Sequence, residues 1–418
     1  MTTDAPDTPD APDTFDAEAF DVFDPEILRL PFYTDEHRDR AQRLARWCEE
    51  RAELWTDLRT DLRGGGPDKA VRRALAALGE AGWLAFLDDE DDGDGGEPGT
   101  DGDYRSICLA REALAYTEDL ADFAFAIQVL SATPILRYGS PEQKRRYLPG
   151  LAAGTLVGAF AVSEEQAGSD VAAVALTAER DGEEYVLGGG KAWIANGTTA
   201  DVLCVIARTG EGPGPLGLSA FLVPGDAPGL RMEPIDAIAP RPFAHLAFED
   251  CRVPADAVLG RPGRGFVVAM DLLERARMTV GAAALGFARR AADAAQARAR
   301  QRAIYGGVLF DLPTVKFDLA AMEVELNASA LLVGRAAWEL DRGNRAFGRH
   351  SSIAKLQATE AAQRIVDRCV QLHGAAGLVA DSLPERLYRQ IRALRVYEGA
   401  SEVQQLTIAG ALDARRAR

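Results

Sequence analysis

At 418 residues, with 47% hydrophobic and 27% charged residues, the chain is long enough for two or three packed units and too apolar for wholesale disorder. Its formal charge of −17 is localised, because residues 1–24 carry eight acids and residues 88–103 nine with no base in either; the balanced remainder offers no broad basic face for nucleic acid. Five cysteines without a C-x-x-C pair fit reduced thiols, and there is neither a basic, apolar leader nor a run of about 18 apolar residues, which predicts a cytoplasmic protein with no membrane segment.

Residues 1–24, an Asp-Ala-Pro-Asp-Thr repeat, read as a disordered acidic tail. A helical unit is expected over 25–156, with apolar residues at three- and four-residue spacing in Glu36–Leu58, Lys69–Leu87, Ser106–Leu120 and Phe123–Tyr138. The run 88–103, with nine acids and five glycines, reads as a solvated loop inside it. Over 157–264 the period drops to two, and strands are expected at Val174–Glu179, Tyr185–Leu187, Val202–Arg208, Ala220–Val223 and His245–Phe248, with Asp181-Gly182 as a hairpin signal. Gly188-Gly189-Gly190-Lys191 lacks the spacing of a phosphate loop and reads as another hairpin turn. Over 265–418 helical periodicity returns in Val267–Ala303, Leu312–Asp341, Ser352–Leu372, Leu383–Val396 and Glu402–Ala411, enough for a bundle with a terminal turn. The fold class is α+β and multidomain, ordered helices, sheet or barrel, helices.

Hydrolase elbows, zinc-protease pairs and the Rossmann glycine fingerprint are missing, and four histidines scattered along the chain give metal binding no support. Four segments carry a different signal. Phe160-Ala-Val-Ser-Glu-Glu-Gln-Ala-Gly-Ser-Asp170 is similar to A-[LV]-[ST]-E-P-x-A-G-S-D, with Glu165 in place of proline, and Gly190-Lys-Ala-Trp-Ile-Ala-Asn-Gly197 to G-x-K-x-W-I-[ST]-N-G. Phe248–Gly260 has the look of a closing strand and turn. Leu273–Arg277, Arg302–Gly306, Gln371–Gly377 and Tyr397–Glu402 follow in order. From about Gly82 to Ala411 the chain thus resembles the acyl-CoA dehydrogenase family, which implies an N-terminal helical domain, a central β-barrel and a C-terminal four-helix bundle.

The resemblance implies an FAD-dependent dehydrogenase in which Glu398 takes the α-proton of an acyl thioester while the β-hydride passes to flavin. It places Phe160, Val162, Ser163, Gly168, Ser169, Trp193, Ala195, Arg302, Tyr305, Gln371, Ala375, Ala400 and Glu402 at FAD, and Ser169, Arg277, Tyr397 and Gly399 at substrate. Arg302 and Gln371 are expected to reach the FAD of a neighbouring subunit in a homotetramer or homodimer, and an electron-transfer flavoprotein to take the electrons. An arginine fork suits pyrophosphate oxygens, and a dry pocket raises the pKa of a carboxylate base. Plainer roles compete: barrel core for Trp193, a surface ion pair for Arg302, a helix cap for Glu398. Some relatives carry the base just before the bundle arginine, but here that residue is Ala276. Ala195, Ala400, Ala375, Tyr305 and Pro313 depart from the family's polar or aromatic choices. These departures leave two other readings open: a flavoenzyme acting on a carrier-protein-bound acyl group or reacting with oxygen, and a catalytically silent assembly partner.

Overall fold

The computed structural model describes residues 22–64, 66–87 and 102–416, the last four without their side chains. Residues 1–21 and nearly all of the acidic run 88–103 lie outside that range. The helical unit comprises α1 (Pro25–Leu28), α2 (Asp35–Glu49), α3 (Ala52–Gly64), α4 (Pro67–Glu80), α5 (Tyr104–Thr117), α6 (Asp119–Tyr138) and α7 (Pro141–Ala152). The expected single helix 36–58 is two, because the chain turns at Glu50–Arg51. Trp55 folds back there to donate to the Cys48 carbonyl at 2.7 Å and to meet Trp47 edge-on at 5.5 Å. Apolar periodicity survives the break, since α2 and α3 feed the same core. α7, absent from the expected helices, starts at a capping box in which Ser140 and Gln143 bond each other's backbone N–H, with Pro141 in the first turn.

Both acidic stretches end in ordered structure. Val22 and Phe23 are buried in the core, and Asp24 caps α1 by accepting from the Glu26 N–H at 2.8 Å, so residues 22–24, expected within the acidic tail, belong to the folded body. Asp103 caps α5 through the Ser106 N–H and meets His37 Nε2 at 3.1 Å, where a solvated loop residue was expected.

Eight strands form one mixed sheet: β1 (Gly158–Ala161), β2 (Thr177–Asp181), β3 (Glu184–Ala195), β4 (Val202–Arg208), β5 (Leu218–Pro224), β6 (Leu230–Ile235), β7 (Phe243–Pro254) and β8 (Val258–Leu259). They run β6-β7-β3-β2-β4-β5-β8, with β1 parallel to β4. The apolar run of β4 serves two cores. Val202, Cys204 and Ile206 face the helices, whereas Leu203, Val205 and Ala207 join Leu187, Phe221 and Phe248 inside the sheet. The β2–β3 hairpin turns at Gly182 (φ 63°), as its sequence predicts. The triple glycine is no turn: it lies within β3, at a register shift against β7, and Gly189 (φ 128°) would place a Cβ 3.1 Å from the Leu176 Cα. Close backbone approach, not chain reversal, requires glycine there.

The C-terminal unit contains α8 (Gly265–Gln301), a small hairpin of β9 (Ala303–Ile304) and β10 (Gly307–Val308), then α9 (Pro313–Asp341), α10 (Phe347–His373), α11 (Leu383–Ile391) and α12 (Ser401–Arg416). α8, α9 and α10 pack on one another, α11 closes against α8 and α10, and α12 lies on α10. α5 is buried on almost every face, between α2, α6, α8 and α9, so the two helical units share one core. α6 is long and apolar enough to cross a membrane by composition, yet 67% of its apolar window is buried inside the protein, the pattern of a core helix. Since Phe23 plugs this shared core, Phe23→Ala should cost about 3 kcal/mol in urea unfolding. Deleting residues 2–21 should leave the midpoint in place, whereas extending the deletion to residue 24 should lower it.

Candidate active site

Glu398 stands in the turn between α11 and α12 at φ 54°, the left-handed region that costs a non-glycine residue on the order of 1–2 kcal/mol. Gly399 follows at φ 92°, where an added Cβ would lie 2.6 Å from Gln404 Nε2. The carboxyl group lines a cleft formed by α5, α6 and α8, with Tyr104, Ala126, Val129, Leu130, Thr133, Leu272, Ala276 and Thr279 around it. Its Oε2 is buried without a hydrogen-bond partner among the described residues. Burial pushes the Glu398 pKa up, and the Arg111, Lys355 and Arg277 charges oppose that rise. Ala276 also lines the cleft, so the position that the resemblance offers as an alternative site for the base presents only a methyl group.

Each cation is committed elsewhere. Arg111 binds Asp122 through two 2.9 Å hydrogen bonds and donates to Thr279 Oγ1 at 3.2 Å. Arg277, buried on α8, reaches Ser352 Oγ at 3.4 Å. Lys355, buried on α10, donates to the carbonyls of Tyr397 and Gly399. Tyr397, Gly399 and Arg277, the expected substrate residues besides Ser169, are therefore gathered around Glu398. The expected cap role for Glu398 finds no support in its side chain, whose Oε2 has no hydrogen-bond partner among the described residues.

A second group collects on the sheet. Phe160 is buried at β1, Val162 and Ser163 are half-buried beyond it, and Gly168 and Ser169 are exposed, with open space where a Gly168 Cβ would stand. The Ser163 carbonyl accepts from the Ala192 N–H at 2.9 Å, joining this segment to β3. Trp193 is 52% exposed at φ 57°, in the register shift between Lys191 and Ile194, so it is not barrel core. Ala195 ends β3 half-buried. α6 connects the two groups: Gln128 accepts from the Gly158 N–H at 3.1 Å, while Val129, Leu130 and Thr133 line the cleft.

Arg302, Tyr305, Gln371 and Ala375 lie elsewhere, all exposed. Tyr305 and Gly306, both at positive φ, form the two-residue turn of β9–β10 and leave Tyr305 93% exposed at its tip. Arg277 and Arg302 belong to α8 and its C-cap, so at about 1.5 Å per residue they stand roughly 37 Å apart. Gln371 is near the end of α10, which an Arg368–Asp318 ion pair ties to the start of α9, beside that hairpin. Ala400 and Glu402 adjoin Glu398 at the start of α12, the first half-buried and the second exposed. Arg302 makes no ion pair among the described residues that would assign it the expected surface role.

Residue-type patterns alone miss Arg111, Asp122, Lys355 and the Lys191–Glu164 pair. Lys191, buried in β3, donates to Glu164 Oε1 at 2.8 Å and to the Val162 carbonyl at 2.9 Å, and Glu164 also accepts from the Ala175 and Leu176 N–H groups. Burial draws the Lys191 pKa down to about 8, while Lys191 and the two backbone donors overcome burial to hold Glu164 below the usual carboxylate range. Among the described residues, His37, Asp103 and Asp341 could gather around a metal ion. Their atoms are already engaged: Asp341 takes Arg105 Nε and two backbone N–H groups, and Asp103 takes Ser106 and His37. Lys191→Met should cost about 3–5 kcal/mol in urea unfolding by leaving Glu164 charged and buried. The double variant with Glu164→Gln should recover part of that loss.

Family models for the acyl-CoA dehydrogenase N-terminal, middle and C-terminal domains match residues 34–155, 159–251 and 263–412. Human mitochondrial short-chain specific acyl-CoA dehydrogenase is 41% identical over 282 residues, covering 67% of this chain and 68% of the relative. The butyryl-CoA dehydrogenase structure from Megasphaera elsdenii superposes with a TM-score of 0.82 at 30% identity, over 91% of this chain and 98% of that one. A glutaryl-CoA dehydrogenase from Mycobacterium smegmatis, solved in complex with FADH2, gives a TM-score of 0.78 at 28% identity, over 91% and 95%. With its helix, sheet and helix units in the matching order, this chain belongs to the acyl-CoA dehydrogenase family and is a flavin-dependent oxidoreductase of acyl-CoA thioesters.

Proposed function

We propose that the chain dehydrogenates a short acyl-CoA, with Glu398 as the base that removes the α-proton. The buried, unpartnered Oε2 of Glu398 carries this reading: it is a proton acceptor kept free inside a largely apolar cleft. A short acyl group is supported by the likeness to short-chain and butyryl-CoA dehydrogenases.

The residues present suit FAD. Trp193 offers an exposed aromatic face, Gly168 leaves room for a close approach, and Val162, Ser163 and Ser169 supply backbone and hydroxyl groups beside them. Bound flavin supplies the acceptor for the β-hydride. The Arg111, Lys355 and Arg277 charges oppose the rise that burial gives the Glu398 pKa and so favour the ionised form that a base needs. Proton transfer to its carboxylate then leaves a neutral acid, the form that burial favours.

The roughly 37 Å along α8 between Arg277 and Arg302 supports a site completed across subunits. Arg302, Tyr305, Gln371 and Ala375 of one copy would bind the FAD that Phe160, Ser163 and Trp193 of another begin to enclose, with Ala195, Ala400 and Glu402 lining it. A homodimer or homotetramer satisfies that requirement, and we assign the reduced flavin to an electron-transfer flavoprotein as its oxidant. All five cysteines are free and buried, which supports a reducing cytoplasm.

Glu398→Gln should keep flavin and ligand binding yet slow flavin reduction by about 10²–10⁴, and a stopped-flow rate within about threefold of wild type would exclude Glu398 as the base. The acid limb of kcat/KM should lie above the ordinary carboxylate value of about 4.3, with activity falling as pH drops through it. Arg302→Ala should lose flavin without unfolding. A monomer with full flavin occupancy, seen by light scattering and absorbance, would rule out the shared site.

A further inference from the structure

We infer that Lys355 is the positioning residue of the base: its ammonium group, donating to the carbonyls on both sides of Glu398, holds that residue in the left-handed backbone conformation that turns its carboxylate into the cleft. The inference rests on Glu398 acting as the base. Lys355 lies on α10, 1% exposed, and both of its observed hydrogen bonds go to main-chain oxygens, those of Tyr397 and Gly399. A buried ammonium is costly unless it does something that an apolar side chain cannot. Here it ties down two peptide units that flank a glutamate at φ 54°.

α10 holds the same loop at a second point. Glu360, five residues beyond Lys355, accepts from Arg395 Nε at 2.8 Å and from Ser401 Oγ at 2.6 Å, clamping the segment before and after the base. Gln404 of α12, fully buried, adds Nε2 bonds to the carbonyls of Glu398 at 3.2 Å and Gly399 at 2.7 Å. Three successive carbonyls thus point at buried donors, which leaves the Glu398 side chain to face the other way. The charge of Lys355 has a separate effect. The titratable and charged groups facing Glu398 are Tyr104 and Arg111 from α5, Asp122 from α6, Arg277 from α8, Lys355 from α10, and Tyr397 in its own loop. Loss of one of the three cations favours the protonated, inactive carboxyl.

The test compares wild type, Lys355→Met and Lys355→Arg as flavin-loaded enzymes, following flavin reduction by butyryl-CoA across pH together with substrate Kd. Lys355→Met should slow reduction by at least about tenfold with Kd within about threefold, and move the acid limb of the rate to higher pH. Lys355→Arg, which keeps the charge and the donors, should recover most of the rate and return the limb. Wild-type rate and limb in a folded Lys355→Met enzyme would overturn the inference. Should Lys355→Met not fold, Gln404→Leu removes donors to the same loop without changing charge. It should slow reduction with the limb unmoved, and a wild-type rate there would equally overturn it. Glu398→Gln keeps the two questions apart: if that variant still reduces its flavin normally, the base is misassigned, whereas an inert Glu398→Gln beside a normal Lys355→Met removes only the positioning role.

Discussion

The base proposed at Glu398 must be ionised where burial disfavours ionisation, and the arrangement around it meets that conflict without a direct ion pair. A salt bridge would stabilise the carboxylate but occupy the lone pair that has to accept a proton. Arg111, Arg277 and Lys355 instead act through space, each with its own hydrogen-bond partner: Asp122 and Thr279, Ser352, and two main-chain carbonyls. Charge stabilisation falls off with distance more slowly than hydrogen bonding does, so this field lowers the cost of ionisation and leaves Oε2 free. The tertiary structure follows from it. Three cations from three helices converge only if α5, α8 and α10 pack together, and α5 must be buried on almost every side to bring Arg111 there.

The sheet solves a different problem, that of an exposed aromatic face on a rigid support. Trp193 at positive φ stands outward because Lys191 before it and Ile194 after it are both buried, anchoring the irregular part of β3 from each side. Lys191 also fixes the neighbouring segment through Val162 and Glu164, so the two flavin-related motifs behave as one unit although nearly thirty residues separate Glu164 from Lys191. Their shared anchor is a charged pair in a low-dielectric interior, where removing one member harms more than the pair itself helps.

Much of this was legible in the sequence, and the failures share a cause. The change of period near Val157 and its return near Gly265 follow directly from which faces are buried, and the structure keeps both transitions. Motif resemblance points to Glu398, which lines the cleft, and to Tyr397, Gly399 and Arg277, which lie around it. What pattern reading missed depends on contacts distant in sequence. The helix break at Glu50–Arg51 preserves the apolar period, the triple glycine is required by Leu176 on another strand, and Phe23 is buried although it sits among acids and prolines. Lys355 resembles any lysine of an amphipathic helix until the 397–399 turn is laid against it.

The division of labour between helix and loop also explains why a glutamate tolerates an unfavourable backbone conformation here. On a regular helix its side chain would tilt toward the helix N-terminus and share its surroundings with residues three and four positions away. In a turn at positive φ the carboxylate can leave the backbone in a direction no helical position offers, provided that the turn's own carbonyls are held. α10 and α12 supply those donors from behind while α5, α6 and α8 form the cleft in front. The proposed base therefore belongs to no single domain motif: α10 and α12 hold its backbone, α5, α8 and α10 supply the charges around it, and the strain at residue 398 is sustained only while these helices are packed together.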